Sequence, residues 1–372
     1  MTAAKQMIRV LVVDDSALMR KLIPQLLERD SSIHVVGTAM DGAFALKKIE
    51  ELKPDAITLD LEMPRMDGIE TLRRIMRQQQ LPIVVVSAHT REGASTTFKA
   101  LHMGAFDFVA KPENVLAEGM LEIAAELITK IKAAVDSPFR RRPLPTTSTV
   151  TPPKKAKRKA ALGPASKLVA IGISTGGPNS LEFMLGQLPA EFPAAILVVQ
   201  HMPAGFTNTF ARRLNESCAL EVKEAQSGDL ISAGRVLICP GDRHMRLRRM
   251  PLGDVVVLSD DEKVNGHRPS VDVLFRSAAQ EFGADAVGLL MTGMGEDGAE
   301  GLGAMKDSGA LTIAQNEASS IVFGMPRAAI ERGYAARIVA LEDLSSTLIA
   351  HCGVLRALSV KEPYPVRSTG HM

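Results

Sequence analysis

The sequence predicts two doubly wound α/β domains, each built on a parallel sheet, and three observations carry that expectation. Short runs of β-branched and aliphatic residues alternate with helical spacings in both halves of the chain. The 372 residues exceed what one hydrophobic core usually organises. Between the halves lies a basic Pro- and Thr-rich stretch with too few apolar residues to offset the entropy of ordering it. Hydrophobic residues at 46%, charged residues at 23% and 29 glycines fit an α/β globular chain and exclude a fibrous or disordered one.

In the first half, strand-like runs stand at Ile8 to Val13, Ile33 to Ala39, Ala56 to Leu59, Ile83 to Ser87 and Phe106 to Ala110. Helical patterns separate them, and an amphipathic segment around Val115 to Val135 closes a first domain over 1–135. A linker over 136–165 follows, with nine Lys or Arg against one acid between Asp136 and Lys167, which leaves the rest of the +2 chain at −6. These charges sit among Pro, Thr and Ala without Trp or Tyr, so they read as a solvated tether and not as a nucleic-acid face. Apolar runs resume at Leu168 to Ile173, Ala195 to Gln200, Val236 to Ile238, Val255 to Leu258 and Ala286 to Thr292, giving a second domain over 166–355 and a tail over 356–372.

Three cysteines, Cys218, Cys239 and Cys352, without C-x-x-C spacing support neither a disulfide framework nor a cysteine zinc site. The N-terminus lacks a signal-peptide pattern, and no uncharged apolar run approaches the roughly 18 residues needed to cross a bilayer. A cytoplasmic monomer without membrane insertion is the expectation.

Chemistry concentrates where strands end. In the first domain Asp14-Asp15, Asp60 and Lys111-Pro112 follow the first, third and fifth strands, and in a parallel sheet those ends share one edge. Taken singly, each acid is a common strand-end or N-cap residue. Together, three carboxylates and one ammonium call for a cation such as Mg²⁺, held by carboxylates and a phosphate oxygen. A carboxylate there, Asp60 because it stands alone, has the setting of a phosphoryl acceptor. The runs VLVVDDS, LDLEMPRMDG, VVVSAHT and FDFVAKP resemble the response-regulator receiver family over residues 8 to 125. That resemblance implies a flavodoxin-like receiver with Asp60 as phosphoacceptor and Asp14, Asp15, Asp60 and the Glu62 backbone carbonyl around Mg²⁺. It also implies Ser87 and Lys111 at the phosphoryl group, and Phe108 at the aromatic switch position, where it can equally be a core residue.

In the second domain the run to Ile173 leads into Gly172-Ile173-Ser174-Thr175-Gly176, a G-x-S-x-G turn that pushes a serine out over the sheet and frees backbone N–H groups for an oxyanion. The pentapeptide alone is weak, and G-x-G-x-x-G is not met because Ser174 replaces the second glycine. The next run ends at His201, and the run from Ala286 leads to Asp297. A serine needs a base, and a histidine needs a carboxylate to fix its tautomer. The order Ser, His, Asp differs from that of α/β-hydrolases. Alone, a histidine such as His201 is more often a structural or capping residue, and Asp297 suits a turn or N-cap. His244 near Asp242 and His267 near Asp272 are rivals that rank lower, because they do not terminate apolar strands.

GISTGGP, VVQHMP with FTNTFARRL, GHRPSVDVLF, LLMTGMGEDGAEGL and FGMPRAA resemble the chemotaxis protein-glutamate methylesterase family. With the receiver, the resemblance covers nearly the whole chain; the linker and tail depart from it. It implies a Rossmann-like three-layer methylesterase domain in which Ser174 is the nucleophile, His201 the general base and acid, Asp297 its orienter and the Met294 N–H part of the oxyanion hole. The implied substrates are glutamate γ-methyl esters, and glutamine amides, on methyl-accepting chemotaxis receptors. A CheA-type histidine kinase is the implied phosphodonor, Mg²⁺ serves the receiver, and the ester step needs no cofactor. The expected control is a receiver packed over the cleft and released by phosphorylation. Of two other readings, a receiver-linked DNA-binding factor demands a helix-turn-helix after the linker where the sequence offers glycine-bounded strands, and a non-catalytic binding module is separated from the hydrolase by Ser174→Ala.

Overall fold

The computed structural model describes residues 7–78, 81–88, 90–111, 117–136, 163 and 165–353. The expected tail, and the linker except at 136, 163 and 165, lie outside the described residues. In the first domain β1 (Ile8–Val13), α1 (Ala17–Leu27), β2 (Ile33–Ala39), α2 (Gly42–Leu52), β3 (Ala56–Asp60), α3 (Gly68–Gln78), β4 (Ile83–Ser87), α4 (Arg91–His102), β5 (Asp107–Ala110) and α5 (Ala117–Asp136) alternate as expected. The strands pair in parallel in the order β2-β1-β3-β4-β5. Every residue of β3 and β4 is buried, because helices cover both faces of the sheet, which is why these strands read as unbroken apolar runs. Side chains of Ser16, Asp41 and Thr90 accept backbone N–H groups at the starts of α1, α2 and α4, satisfying donors that a helix start leaves orphaned.

The second domain runs β6 (Leu168–Ile173), α6 (Gly177–Leu185), β7 (Ala195–Gln200), α7 (Phe206–Ser217), β8 (Glu221–Glu224), β9 (Arg235–Ile238), β10 (His244–Arg248), β11 (Val255–Ser259), α8 (Val271–Phe282), β12 (Ala286–Leu290), α9 (Ala299–Asp307), β13 (Leu311–Gln315), α10 (Met325–Glu331), β14 (Arg337–Val339) and α11 (Leu341–Cys352). Seven strands form a parallel sheet in the order β14-β13-β12-β6-β7-β9-β8. The run at Val255 departs from expectation: it pairs antiparallel with β10 in a separate two-stranded ribbon. Its partner carries the sequence HMRLR, whose polar and apolar residues alternate as a half-buried strand requires. Strands β8 and β14 lie at the sheet edges with partly exposed polar residues, so hydropathy did not mark them. The chain leaves β6 towards β7 on one side and returns through β12 on the other, so the carboxyl end of β6 is the switch point where open α/β sheets form sites.

The two domains share one hydrophobic cluster. Phe98 of α4 stacks on Phe210 of α7 with centroids 5.3 Å apart, and Phe108 of β5 stacks on Phe206 at 4.7 Å. All four rings are at most 4% exposed. Burial of each such side chain stabilises by roughly 1.5–3 kcal/mol. Two polar contacts fix the register: Asn179 Nδ2 donates to the Leu101 carbonyl at 3.0 Å, and Arg213 Nη1 donates to the Phe98 carbonyl at 3.0 Å.

Candidate active site

Two groups of titratable residues stand at the carboxyl edges of the two sheets. In the first domain, Asp14, Asp15 and Asp60 each bring an oxygen within 4.8 Å of the others. Lys111 Nζ lies 2.7 Å from Asp60 Oδ2 and 3.0 Å from Asp14 Oδ2. Only the Asp60 contact is aligned as a hydrogen bond, and among the described residues Asp14 Oδ2 is buried without a donor. A buried carboxylate oxygen held by an ammonium but without an aligned hydrogen bond, beside two more acids, is a hard-oxygen donor set that suits Mg²⁺. Burial raises the Asp60 pKa, with Lys111 opposing it. Burial also works against the Lys111 ammonium, but Asp60 and Asp14 outweigh it and its pKa is raised. The Glu62 N–H donates to Asp60 Oδ1 at 3.1 Å, so the chain folds back over the carboxylate. The Ser87 hydroxyl is buried against α4, accepting from Thr97 Oγ1 at 2.7 Å.

In the second domain Ser174, His201 and Asp297 meet. His201 Nδ1 lies 3.2 Å from Ser174 Oγ, and His201 Nε2 lies 2.8 Å from Asp297 Oδ2. A tautomer protonated at Nε2 donates to Asp297 and leaves Nδ1 to accept from the serine. Tight turns bring the parts together. Gly176 has φ +72°, and a Cβ on it would lie 2.5 Å from Ile321 Cδ1. A Cβ on Gly293 would lie 2.2 Å from Met325 Sδ and 2.9 Å from Ser174 Cβ, so only glycine lets the Asp297 turn close on the serine. The Gly293 N–H donates to the Val322 carbonyl at 3.0 Å, whereas among the described residues no hydrogen bond takes the Met294 N–H, and Met294 itself is 39% exposed.

Asp297 is 1% exposed, and burial by itself would raise its pKa. Donors outweigh burial and hold the carboxyl far below the usual range. Besides His201 they are Ser270 Oγ at 2.7 Å, the Val271 N–H at 2.7 Å and Asn265 Nδ2 at 3.0 Å. Ser270 and Val271 open α8, so the helix N-terminus faces the carboxylate. Sequence reasoning missed Asn265 and Ser270; NGHRPSVD carried them, but only folding turns that segment towards Asp297. Gln200 was also missed: its Nε2 donates to the carbonyls of Ser174 and His201 at 3.0 and 3.2 Å, tying nucleophile and base segments together.

The two rival histidines separate. His244 is fully buried; its Nε2 donates to the Glu262 carbonyl at 2.9 Å, and its Nδ1 accepts the Ser270 N–H at 3.2 Å, so both nitrogens are engaged structurally. His267 stacks on His201, with ring centroids 4.0 Å apart and 10° between planes. The first domain reaches the same neighbourhood. Asp107 of β5 faces the Gly176 backbone N–H, and buried Lys130 of α5 lies 3.5 Å from the same carboxylate. Burial of the Cys218 and Cys352 thiols pushes both up to about 11, so neither is a ready nucleophile. No helix among the described residues is long and apolar enough to cross a membrane.

Comparison with known proteins bears on these two groups separately and together. The family model described as CheB methylesterase matches residues 169–348, and the response regulator receiver domain model matches residues 10–118. The protein-glutamate methylesterase/protein-glutamine glutaminase 2 of Koribacter versatilis is 61% identical over 359 residues, covering 95% of this chain and 98% of the relative. A relative of the same enzyme name from Sulfurimonas denitrificans is 50% identical, covering 88% of this chain and 93% of its own length. Among solved structures, the Thermotoga maritima CheB methylesterase catalytic domain is 40% identical, covers 50% of this chain and 98% of its own, and gives a TM-score of 0.49.

Proposed function

Because the chain belongs to the CheB methylesterase family and carries a response-regulator receiver domain, we propose that it hydrolyses glutamate γ-methyl esters on chemoreceptor signalling helices through Ser174, His201 and Asp297. The observation that carries the reading is the unbroken chain of contacts from Ser174 Oγ through the His201 ring to a hydrogen-bonded, ionised Asp297. Ser174 Oγ attacks the ester carbonyl while its proton passes to His201 Nδ1, and the imidazolium so formed is stabilised by Asp297. The oxyanion is met by the Met294 N–H. Collapse breaks the carbon–methoxy bond, and His201 returns the proton so that methanol leaves. A water then gives its proton to His201 and attacks the acyl-serine, releasing glutamate and restoring Ser174. A glutamine amide passes through a similar tetrahedral state and releases ammonia.

Phosphorylation of Asp60 is the proposed control, with a CheA-type histidine kinase as donor. Asp14, Asp15, Asp60 and the Glu62 carbonyl would hold Mg²⁺, which when bound neutralises charge on the phosphoryl oxygens. Lys111 supplies a fixed ammonium at the same edge, and Ser87, the last residue of β4, would offer its hydroxyl to the phosphoryl group. The inhibited form is supported by Phe108, the switch residue, stacking on Phe206, and by Asp107 facing the backbone of the serine turn. A first domain seated there restricts access of a helical substrate to Ser174, and phosphorylation shifts the population towards an open form.

Methanol release from methylated receptor, with and without a small phosphodonor, tests both halves. Ser174→Ala should abolish release, and Asp60→Asn should keep the basal rate but lose the activation. Full hydrolysis by the Ser174→Ala protein would sink the catalytic reading.

A further inference from the structure

His267 is presented to the site by a tight turn. Val264 and His267 exchange both backbone N–H···O bonds at 3.0 Å, and the two residues between them, Asn265 and Gly266, have φ of +54° and +76°. The turn is pinned on both sides. Asn265 Nδ2 donates to Asp297 Oδ1 at 3.0 Å and to Asp272 Oδ2 at 2.9 Å, while the Arg268 guanidinium donates through two nitrogens to Asp242 Oδ1 at 2.9 and 2.7 Å. Among the described residues neither ring nitrogen of His267 is hydrogen-bonded to a protein group, so what the turn delivers is the flat face of the ring against His201.

Resting on the serine-hydrolase reading above, we infer that His267 is a positioning residue: its ring, laid parallel on His201, holds the imidazole in the plane that serves both Ser174 and Asp297. The need follows from the reaction. In the acyl intermediate Ser174 Oγ is esterified and no longer donates, so His201 keeps only its bond to Asp297 and is free to swing about it. A stacked face restrains that motion while His201 activates water. The groups facing His267 are His201, Asp297, Lys263 and, from the first domain, Glu126. Burial and then the neighbouring His201 push the His267 pKa down to about 4, so at neutral pH the stacked ring carries no charge to oppose the imidazolium formed in the transition state.

The test compares His267→Ala, His267→Asn and His267→Phe in the full-length, phosphodonor-activated protein, each checked for cooperative thermal unfolding. Phe keeps the flat face without nitrogen; Asn keeps a hydrogen-bonding amide without the ring. The expected result is a fall in kcat on the order of tenfold to a hundredfold for Ala and Asn, with KM little changed, and near-normal kcat for Phe. Phe as poor as Asn, or Asn as active as the parent, overturns the inference, and the Phe–Asn comparison decides even where the Ala variant does not fold. Ser174→Ala runs alongside: residual full activity there is failure of the hydrolase reading, whereas loss there with no effect at His267 is failure of this inference alone.

Discussion

Asp297 shows how one side chain can be both deeply buried and firmly ionised. Burial alone would neutralise it, yet hydrogen bonds from His201, Ser270 and Val271 reverse the effect. Removing its charge while keeping its shape should therefore be severe: Asp297→Asn is expected to lower kcat by about 10³- to 10⁴-fold, because the amide favours the wrong imidazole tautomer. A kcat within threefold of the parent in the methanol-release assay would contradict this. His267 gives a prediction in pH. Its folded pKa of about 4 lies below the ordinary 6.5, so between these values the unfolded chain binds the proton and the folded one does not. Stability is thus full above pH 6.5 and falls as the pH drops towards 4, by about 2 kcal/mol after allowance for the ring's partial exposure. His267→Phe lacks this contribution. Thermal melts at pH 7 and 4.5 should show a smaller pH-dependent drop in the variant, and equal drops would refute the assignment.

At the scale of elements, strand ends do the placing. The candidate residues Asp14, Asp60, Lys111, Ser174 and His201 lie at or just beyond the carboxyl ends of parallel strands, and Asp297 lies in the longer turn between β12 and α9. That much was legible, because both the runs and the turn glycines are local signals. The ribbon of β10 and β11 was not: its strands pair with each other outside the main sheet, and no local feature distinguishes an apolar run that joins one sheet from one that joins another. The α4–α7 contact was equally hidden, since the phenylalanines at 98, 206 and 210 look like ordinary core residues in sequence. It makes a prediction of its own. Arg213 pairs with Glu182 and donates to the Phe98 carbonyl across the domain boundary. Losing this partly exposed charge-assisted bond, worth about 1 kcal/mol, should loosen docking. Arg213→Ala is therefore expected to raise methanol release several-fold in the unphosphorylated protein and to leave the fully phosphorylated rate near that of the parent. An unchanged unphosphorylated rate would mean that this contact does not hold the inhibited form.

For the whole molecule, two sites on two sheets become one device only because a shared core joins the domains. If the first domain restricts the cleft, a chain beginning at Ser166 should hydrolyse faster than the full unphosphorylated protein. A shift of about 1.4 kcal/mol in the docking equilibrium is enough for tenfold. A truncated chain no faster than the parent rules out occlusion. It would also expose Phe206 and Phe210, which are 1% exposed in the intact protein, so its solubility should fall. The sequence by itself determined the two α/β domains, the acid-rich edge, the serine turn and the family, because periodicity, turn glycines and strand-end residues are written locally. Only the tertiary structure decided that β10 and β11 form a separate ribbon, that Asn265, Ser270 and His267 gather around the candidate triad, and that Phe108 rests on Phe206. Those depend on which distant segments share space, and that is set by packing of the whole chain and not by the spacing of residues along it.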